Sequence, residues 1–229
     1  VEQRFFDNCH QKGYAEKTVQ DIWHQIESFA NYAFSKGHSA SYAVESFQAL
    51  YIHAYYPLEY LTATLNNGGG FYSKEFYAHT ARMKGGTIAL PCVNNSDLKA
   101  TLSGKTVHLG LAFINGGFGN ENVYRILKSR QTDGPFLSFR DFVNRMSEIS
   151  LEQIIVLIRL GCFRCFEPNK KKLMWDAHFL LSKTPETREK GNLFRIEPKS
   201  WKLPELIHTQ IEDAYDEMEL LGFPVTVSP

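Results

Sequence analysis

The side chains best suited to chemistry gather at two bends of the chain. At the first, Phe34-Ser35-Lys36-Gly37-His38-Ser39-Ala40-Ser41-Tyr42-Ala43, an ammonium, an imidazole and several hydroxyls fall between two apolar periodic stretches. Lys36, His38, Ser39 and Tyr42 then stand where a helix begins, beside unpaired backbone N–H groups and the positive end of the helix dipole. Donors aimed one way like this suit a phosphate. A solvated connector between helices is the plainer reading, and on local residues alone it is the favoured one.

At the second bend, Ile114-Asn115-Gly116-Gly117-Phe118-Gly119-Asn120-Glu121-Asn122-Val123-Tyr124-Arg125-Ile126-Leu127, a glycine turn opens directly onto an amphipathic run. Glycine permits the φ angles and the close backbone approach by which successive N–H groups surround one anionic oxygen. Gly117, Gly119 and Asn120 are expected to present those amides, while Arg125, Lys128 and Arg130 supply charge to neighbouring phosphates. Such contacts hold a duplex without reading its sequence. Taken in isolation, Gly-x-Gly is weak evidence, because a turn between packed elements has the same composition.

Other constellations carry less. Cys162-Phe163-Arg164-Cys165 has zinc spacing, but no second Cys/His pair lies at a finger-like distance and the flanking phenylalanines read as core. Adjacent Cys9 and His10 point about 100° apart on a helix, so packing is favoured over ligation. Phe76, Tyr77 and Ala81 share a face of the aromatic-rich stretch from Phe71 to Lys84; packing is the favoured reading there and base stacking the other. Lys170-Lys171-Lys172 reads as a solvated face ahead of a phosphate contact.

The elements that must position these groups are mostly helical. Val19, Ile22, Trp23, Ile26, Phe29, Ala30 and Ala33 recur at steps of three and four, which predicts one buried stripe on a helix ending near Phe34 and stopped by Gly37. Tyr42, Val44, Phe47, Leu50, Tyr51, Ala54 and Tyr55 mark the next helix, with Ser39 or Ser41 as its N-cap and Pro57 beyond it. Before them, Phe5 to Lys12 ends a helix at Gly13. A short helix from Pro57 runs to the glycines at 68–70, and another closes at Gly85-Gly86. Thr87 onward reads as a short strand entering a Pro-led loop, and 98–102 with 106–113 as a β-hairpin. Ser138 with Asp141, and Ser150, cap two further helices, the second stopped by Gly161. A helix begins at Lys170, a linker-like stretch occupies 182–204, and an acidic amphipathic helix runs from Leu206 to Leu221 before Gly222.

Several of these runs resemble, in order, the alpha subunit of bacterial DNA polymerase III, the C-family replicative polymerase. Phe34 to Ala43, then Ser46-Phe47-Gln48-Ala49-Leu50-Tyr51 and Ala54-Tyr55-Tyr56-Pro57-Leu58-Glu59-Tyr60, resemble its fingers region. Leu90-Pro91-Cys92-Val93-Asn94-Asn95-Ser96 is similar to the link leaving the fingers. Gly110-Leu111-Ala112-Phe113-Ile114 before the glycine turn, Arg130-Gln131-Thr132-Asp133-Gly134-Pro135-Phe136-Leu137-Ser138-Phe139 after it, and Glu219-Leu220-Leu221-Gly222-Phe223 near the end follow the family's helix-hairpin-helix domain and the lead into its next domain. The chain departs from the pattern where Ser35 replaces an Asn, Gly37 a Ser, His53 a Lys and Asn115 the Lys before the turn, so one hairpin cation is missing. The family's second, degenerate hairpin is represented here only by Leu160-Gly161-Cys162-Phe163.

The resemblance implies a mainly α fold: a helical fingers region over 1–90, a tandem helix-hairpin-helix DNA-binding domain over 91–181 that includes a small β-hairpin, a linker over 182–204, and over 205–229 a helix leading into the next domain. It implies a DNA-directed DNA polymerase, a nucleotidyltransferase of DNA replication, as parent protein. Lys36, His38, Ser39 and Tyr42 would bind the triphosphate of an incoming deoxynucleoside triphosphate, and Gly117, Gly119, Asn120, Arg125, Lys128 and Arg130 the duplex primer-template DNA. No catalytic or metal-binding residue and no cofactor are expected within the chain: Mg²⁺ belongs to the parent's palm, whose carboxylates lie upstream of Val1, so the segment alone is expected to be inactive. The sliding clamp and other replisome subunits would meet the parent elsewhere. The alternatives are a freestanding noncatalytic DNA-binding or scaffold module and a helical protein-interaction domain.

Composition sets outer bounds. The 229 residues are 43% hydrophobic and 14% aromatic, enough for one good core or two small ones. No apolar run approaches a membrane span, no signal peptide opens the chain, and four scattered cysteines make no disulfide framework, which fits a cytoplasmic protein. A first residue other than Met suggests a piece of a longer protein. Formal net charge is zero, which argues against affinity for nucleic acid through bulk charge. Yet Lys105 to Lys172 holds eleven Lys and Arg against six Asp and Glu, and Glu197 to Pro229 two against seven. A basic middle ahead of an acidic tail is the pattern expected of a local DNA-facing surface.

Overall fold

Glycine and proline divide the chain into short helices, as the punctuation of the sequence predicts. The computed structural model describes residues 1–33, 36–181 and 209–227, without the side chains from 29 to 33 and at 36. The expected linker and the start of the first bend thus lie outside the described residues. The chain is mainly α, with a three-stranded sheet, and contacts divide it into two compact units, Val1–Ala54 and Tyr55–Pro229.

The first unit holds α1 (Glu2–Gln11), α2 (Glu16–Ala33) and most of α3 (Lys36–Tyr55). Gly13, at φ +77°, turns the chain after α1, where an L side chain would be strained. Phe5 and Phe6 then meet Trp23 of α2 at ring separations of 5.3 and 5.9 Å. Of the two predicted apolar stripes the first is only partly buried and the second is exposed. Val19 is 2% exposed, but Ile22 and Ile26 are 44% and 43% exposed, and Tyr42, Val44, Phe47, Leu50, Tyr51 and Tyr55 of α3 are all exposed. Three helices cannot cover every face of one another, so periodicity marked surfaces that this unit does not itself bury.

The second unit begins with Pro57 at the first position of α4 (Pro57–Asn66), where its missing N–H removes no helical bond. Leu58, Leu61 and Leu65 point inward. Ser73 caps α5 (Lys74–Met83) by accepting from the Phe76 amide. β1 (Thr87–Ala89), β2 (Thr101–Ser103) and β3 (Thr106–His108) follow. β2 and β3 form the expected antiparallel hairpin, which ends at His108 because Leu111–Phe113 turns into one 3-10 coil. β1 pairs in parallel with β3, Ile88 opposite Val107. That pairing ties the strand before residue 90 to one beyond it.

The remaining helices are α6 (Asn120–Asp133), α7 (Phe139–Arg145), α8 (Leu151–Arg159), α9 (Lys170–Leu181) and α10 (Gln210–Leu221). Ser138 caps α7, and Ser150 with Gln153 forms a capping box on α8. Thr209 with Glu212 forms another on α10, which begins later than Leu206. Phe136, Phe139, Phe142 and Phe163 meet edge to face at 4.8 to 4.9 Å in the core. Two asparagines act as backbone substitutes. Asn66 donates to the Ala100 carbonyl at 2.8 Å and accepts from its amide at 2.7 Å, and Asn94 does the same with Phe136 at 2.8 and 2.9 Å.

Candidate nucleic-acid interface

The glycine bend is anchored from beneath and open above. Phe118, 1% exposed, plugs it into the core, and the Asn115 amide donates to the Leu220 carbonyl of α10 at 2.8 Å. Gly116, at φ +78°, lies so close to α10 that a Cβ there would fall 2.9 Å from Leu220 Cδ2. Gly117 and Gly119, at φ +80° and +47°, instead face open space, with nothing within 4 Å of an added Cβ. Gly119 is the N-cap of α6 and contributes no side-chain cap, so the first-turn amides of that helix begin at an exposed, glycine-lined edge with Asn120. A φ near +80° with an uncapped helix start is the geometry that turns successive N–H groups toward one anion.

The cations assigned to this bend do not share one fate. Lys128 is exposed on α6 and has no partner among the described residues. Arg125 is held by Glu121 at 2.7 Å and Glu148 at 3.1 Å. Arg130 turns inward and donates to the carbonyls of Val93 and Ser96 at 3.2 and 2.5 Å, fastening the loop after β1. It is a structural residue here, because two carbonyls of a partly buried turn need a donor. Arg145 and Arg164 do similar work: one donates to Ser129 and Gly134 carbonyls and lies 4.2 Å from the Phe136 ring centre, the other to Leu90 and Pro91.

Three of the eleven cations of the basic middle are partners of the acidic tail. Arg159 of α8 meets Asp216 at 2.7 Å and Glu219, Lys170 of α9 meets Asp213 and Asp216, and Lys171 meets Glu212 at 3.2 Å. The Glu219 hydrogen bond pushes the Arg159 guanidinium further up and holds the Glu219 carboxyl below the usual carboxylate range. Lys172 pairs with Glu167, so none of the lysine triplet stands as an unpaired solvated face. Leu160-Gly161-Cys162-Phe163, the remnant of a second hairpin, ends α8 with Gly161 at φ +70° and buries Cys162 and Phe163 completely.

At the first bend the predicted stop and caps do not interrupt the helix. Gly37, His38, Ser39 and Ser41 are inside α3. Ser41 Oγ donates to the Gly37 carbonyl at 3.0 Å, one turn back, so it is no N-cap. His38 and Ser39 are nevertheless exposed in the first turn, and the His38 ring meets Tyr42 edge-on at 4.4 Å. The Lys36 side chain lies outside the described residues. At the cysteine pair, burial pushes the Cys165 thiol up to about 12 and the Cys162 thiol higher still. Among the described residues no three His, Cys, Asp or Glu converge to hold a metal ion.

A family model for the helix-hairpin-helix motif matches residues 85–173, taking in the sheet, the glycine bend, and α6 to α8. The DNA polymerase III subunit alpha of Thermus aquaticus is 30% identical over 192 residues, 82% of this chain. That of Aquifex aeolicus is 28% identical over 232 residues, 100% of this chain. The chain belongs to the DNA polymerase III alpha-subunit family. It covers 16% of the first relative and 19% of the second, about a fifth of their length. An error-prone DNA polymerase of Mycolicibacterium paratuberculosis, 28% identical over 190 residues, is also similar. Within this alpha-subunit segment, sequence reasoning missed the pairing of α10 with α8 and α9. Its signal was the opposite charge of two runs, which the sequence displayed without showing that they meet. No described helix is long and apolar enough to cross a membrane.

Proposed function

We propose that this chain is a DNA-holding and nucleotide-holding segment of a replicative DNA-directed DNA polymerase of the cytoplasm. The observation that carries the reading is the open half of the glycine bend. Gly117 and Gly119 are unobstructed, α6 starts uncapped, and Phe118 and Leu220 hold the bend from below. Backbone amides there receive phosphate oxygens of the duplex primer-template, and Lys128 adds one charge. Arg125 reaches a phosphate only by leaving Glu121 and Glu148, and Arg130 makes no contact.

The first turn of α3 takes the triphosphate of the incoming deoxynucleotide. Support comes from the family and from the exposure of His38, Ser39 and Tyr42 at a helix start, with Lys36 adding the cation. Nucleotide addition relies on carboxylates gathered around two Mg²⁺ ions. No Asp-x-Asp pair occurs in the sequence and no three His, Cys, Asp or Glu converge among the described residues to hold a metal ion, so the Mg²⁺ ligands are assigned to the parent's palm. The purified segment is therefore expected not to extend a primer in Mg²⁺, and detectable extension overturns that. Clamp and other replisome contacts belong to parts of the parent beyond this chain.

Fluorescence anisotropy with a labelled blunt duplex tests the DNA reading. Affinity should fall with salt along a shallow slope reflecting few phosphates. The Gly117→Val variant, strained at φ +80°, should lose binding. A chain that ignores duplex DNA at low salt sinks the reading.

A further inference from the structure

The tract Gly68-Gly69-Gly70 reads in sequence as a stop, and the rings beyond it as core. The stop is there, α4 ending at Asn66, but the rings are not core. A Cβ on Gly70 would fall 2.4 Å from the Tyr77 hydroxyl, so the glycines let this loop lie directly against Tyr77. The Tyr72 amide donates to that hydroxyl at 3.4 Å, and Ser73 caps α5 one residue later. The loop is thus tied at its base, yet Phe71, Tyr72 and Phe76 are 93%, 54% and 46% exposed. Tyr72 and Phe76 lie nearly face to face, 4.3 Å apart at 32°. Packing of the unit does not account for rings held outward on an anchored turn.

Their surroundings indicate the occupant. Lys74, between them in sequence, reaches across to sit 5.1 Å from the Phe113 ring centre. Phe113 leads into the open bend through Ile114 and Asn115, and the four steps to Gly117 span at most about 14 Å. An exposed aromatic surface on the same unit as the bend, joined to the approach to that bend through Lys74 and Phe113, matches an unpaired base whose strand continues from a phosphate held at the bend. We propose that Phe71, Tyr72 and Phe76 form a stacking platform for single-stranded nucleotides leaving the duplex. The proposal rests on the duplex reading above for its register, whereas stacking itself is independent of it.

The test compares the 229-residue chain with its Phe71→Ser and Tyr72→Ala/Phe76→Ala variants, by anisotropy on a blunt duplex, the same duplex with a four-nucleotide overhang, and oligo-dT. The overhang should tighten wild-type binding about ten-fold, an advantage lost in both variants while blunt-duplex affinity is unchanged. Phe71→Ser guards against misfolding, since that ring touches little of the unit. Equal affinity for blunt and overhanging duplexes overturns the platform and leaves the duplex reading intact, with a protein contact as the better account of the rings. Should the blunt duplex fail to bind, the duplex reading falls, and oligo-dT decides: binding lost in the variants retains the platform, and no binding removes it.

Discussion

Two residues of one helix show how little charge alone says about role. Lys128 and Arg130 are two positions apart on α6, and both read as phosphate ligands in sequence. Lys128 is exposed, whereas Arg130 spends its guanidinium on the carbonyls of Val93 and Ser96. Arg130→Ala should therefore destabilise the fold by about 1–3 kcal/mol, because partly buried carbonyls lose their donor. Urea denaturation measures this, and an unchanged midpoint would contradict the assignment. Lys128→Ala should leave the midpoint in place and reduce the slope of log affinity against log salt by about 1. The Cys165 thiol, whose residue is exposed but whose sulfur lies against Cys92, is pushed up to about 12 by desolvation and by Cys92, and should react with iodoacetamide at pH 8 more slowly than glutathione does, as mass spectrometry can follow.

At the scale of elements, the helix ends were the most readable feature. Ser138 and Ser150 accept amide hydrogens as expected, because a cap involves only residues within three positions of one another. Ser150→Ala should lower stability by about 1 kcal/mol in urea, with Ser150→Thr largely preserving it. The start of α3 was misjudged: glycine and serine can open a helix or continue one, and here Ser41 bonds back into its own helix. The contacts of α10 carry a pH dependence. Glu219 is held below its ordinary value of 4.5 by Arg159, and Glu167 by Lys172. The unfolded chain then binds more protons near pH 4, so this contribution is present above about 4.5 and is lost as pH falls through the lower folded values. Urea midpoints should drop between pH 5 and 3, less so in Glu219→Gln; since these are exposed pairs, the drop should be small.

Across the second unit, the open bend depends on a helix from a distant part of the chain. Leu220 is 1% exposed, meets Gly116, and lends its carbonyl to Asn115. Leu220→Ala should destabilise the unit by about 2–5 kcal/mol and speed hydrogen exchange at the bend under native conditions, weakening duplex affinity through disorder rather than lost charge. Exchange confined to α10 would show that the helix does not hold the bend. Net neutrality takes a physical form at this scale: α10 pairs with Arg159 of α8 and with Lys170 and Lys171 of α9, which removes those three cations from the charge left for DNA.

Local order in the sequence was enough to determine the mainly helical build, the glycine stops other than Gly37, the β-hairpin, the caps at Ser138 and Ser150 and the family, since each depends on residues a few positions apart. Only the tertiary structure decided which cations stay available and which rings face outward. Arg159 finds Asp216 and Glu219 at separations of 57 and 60 residues, and the loop before Tyr72 lies against Tyr77 because Gly69 and Gly70 have no side chains. Charge and aromaticity are properties of a side chain, but availability is a property of its neighbours, and those neighbours are brought together by folding.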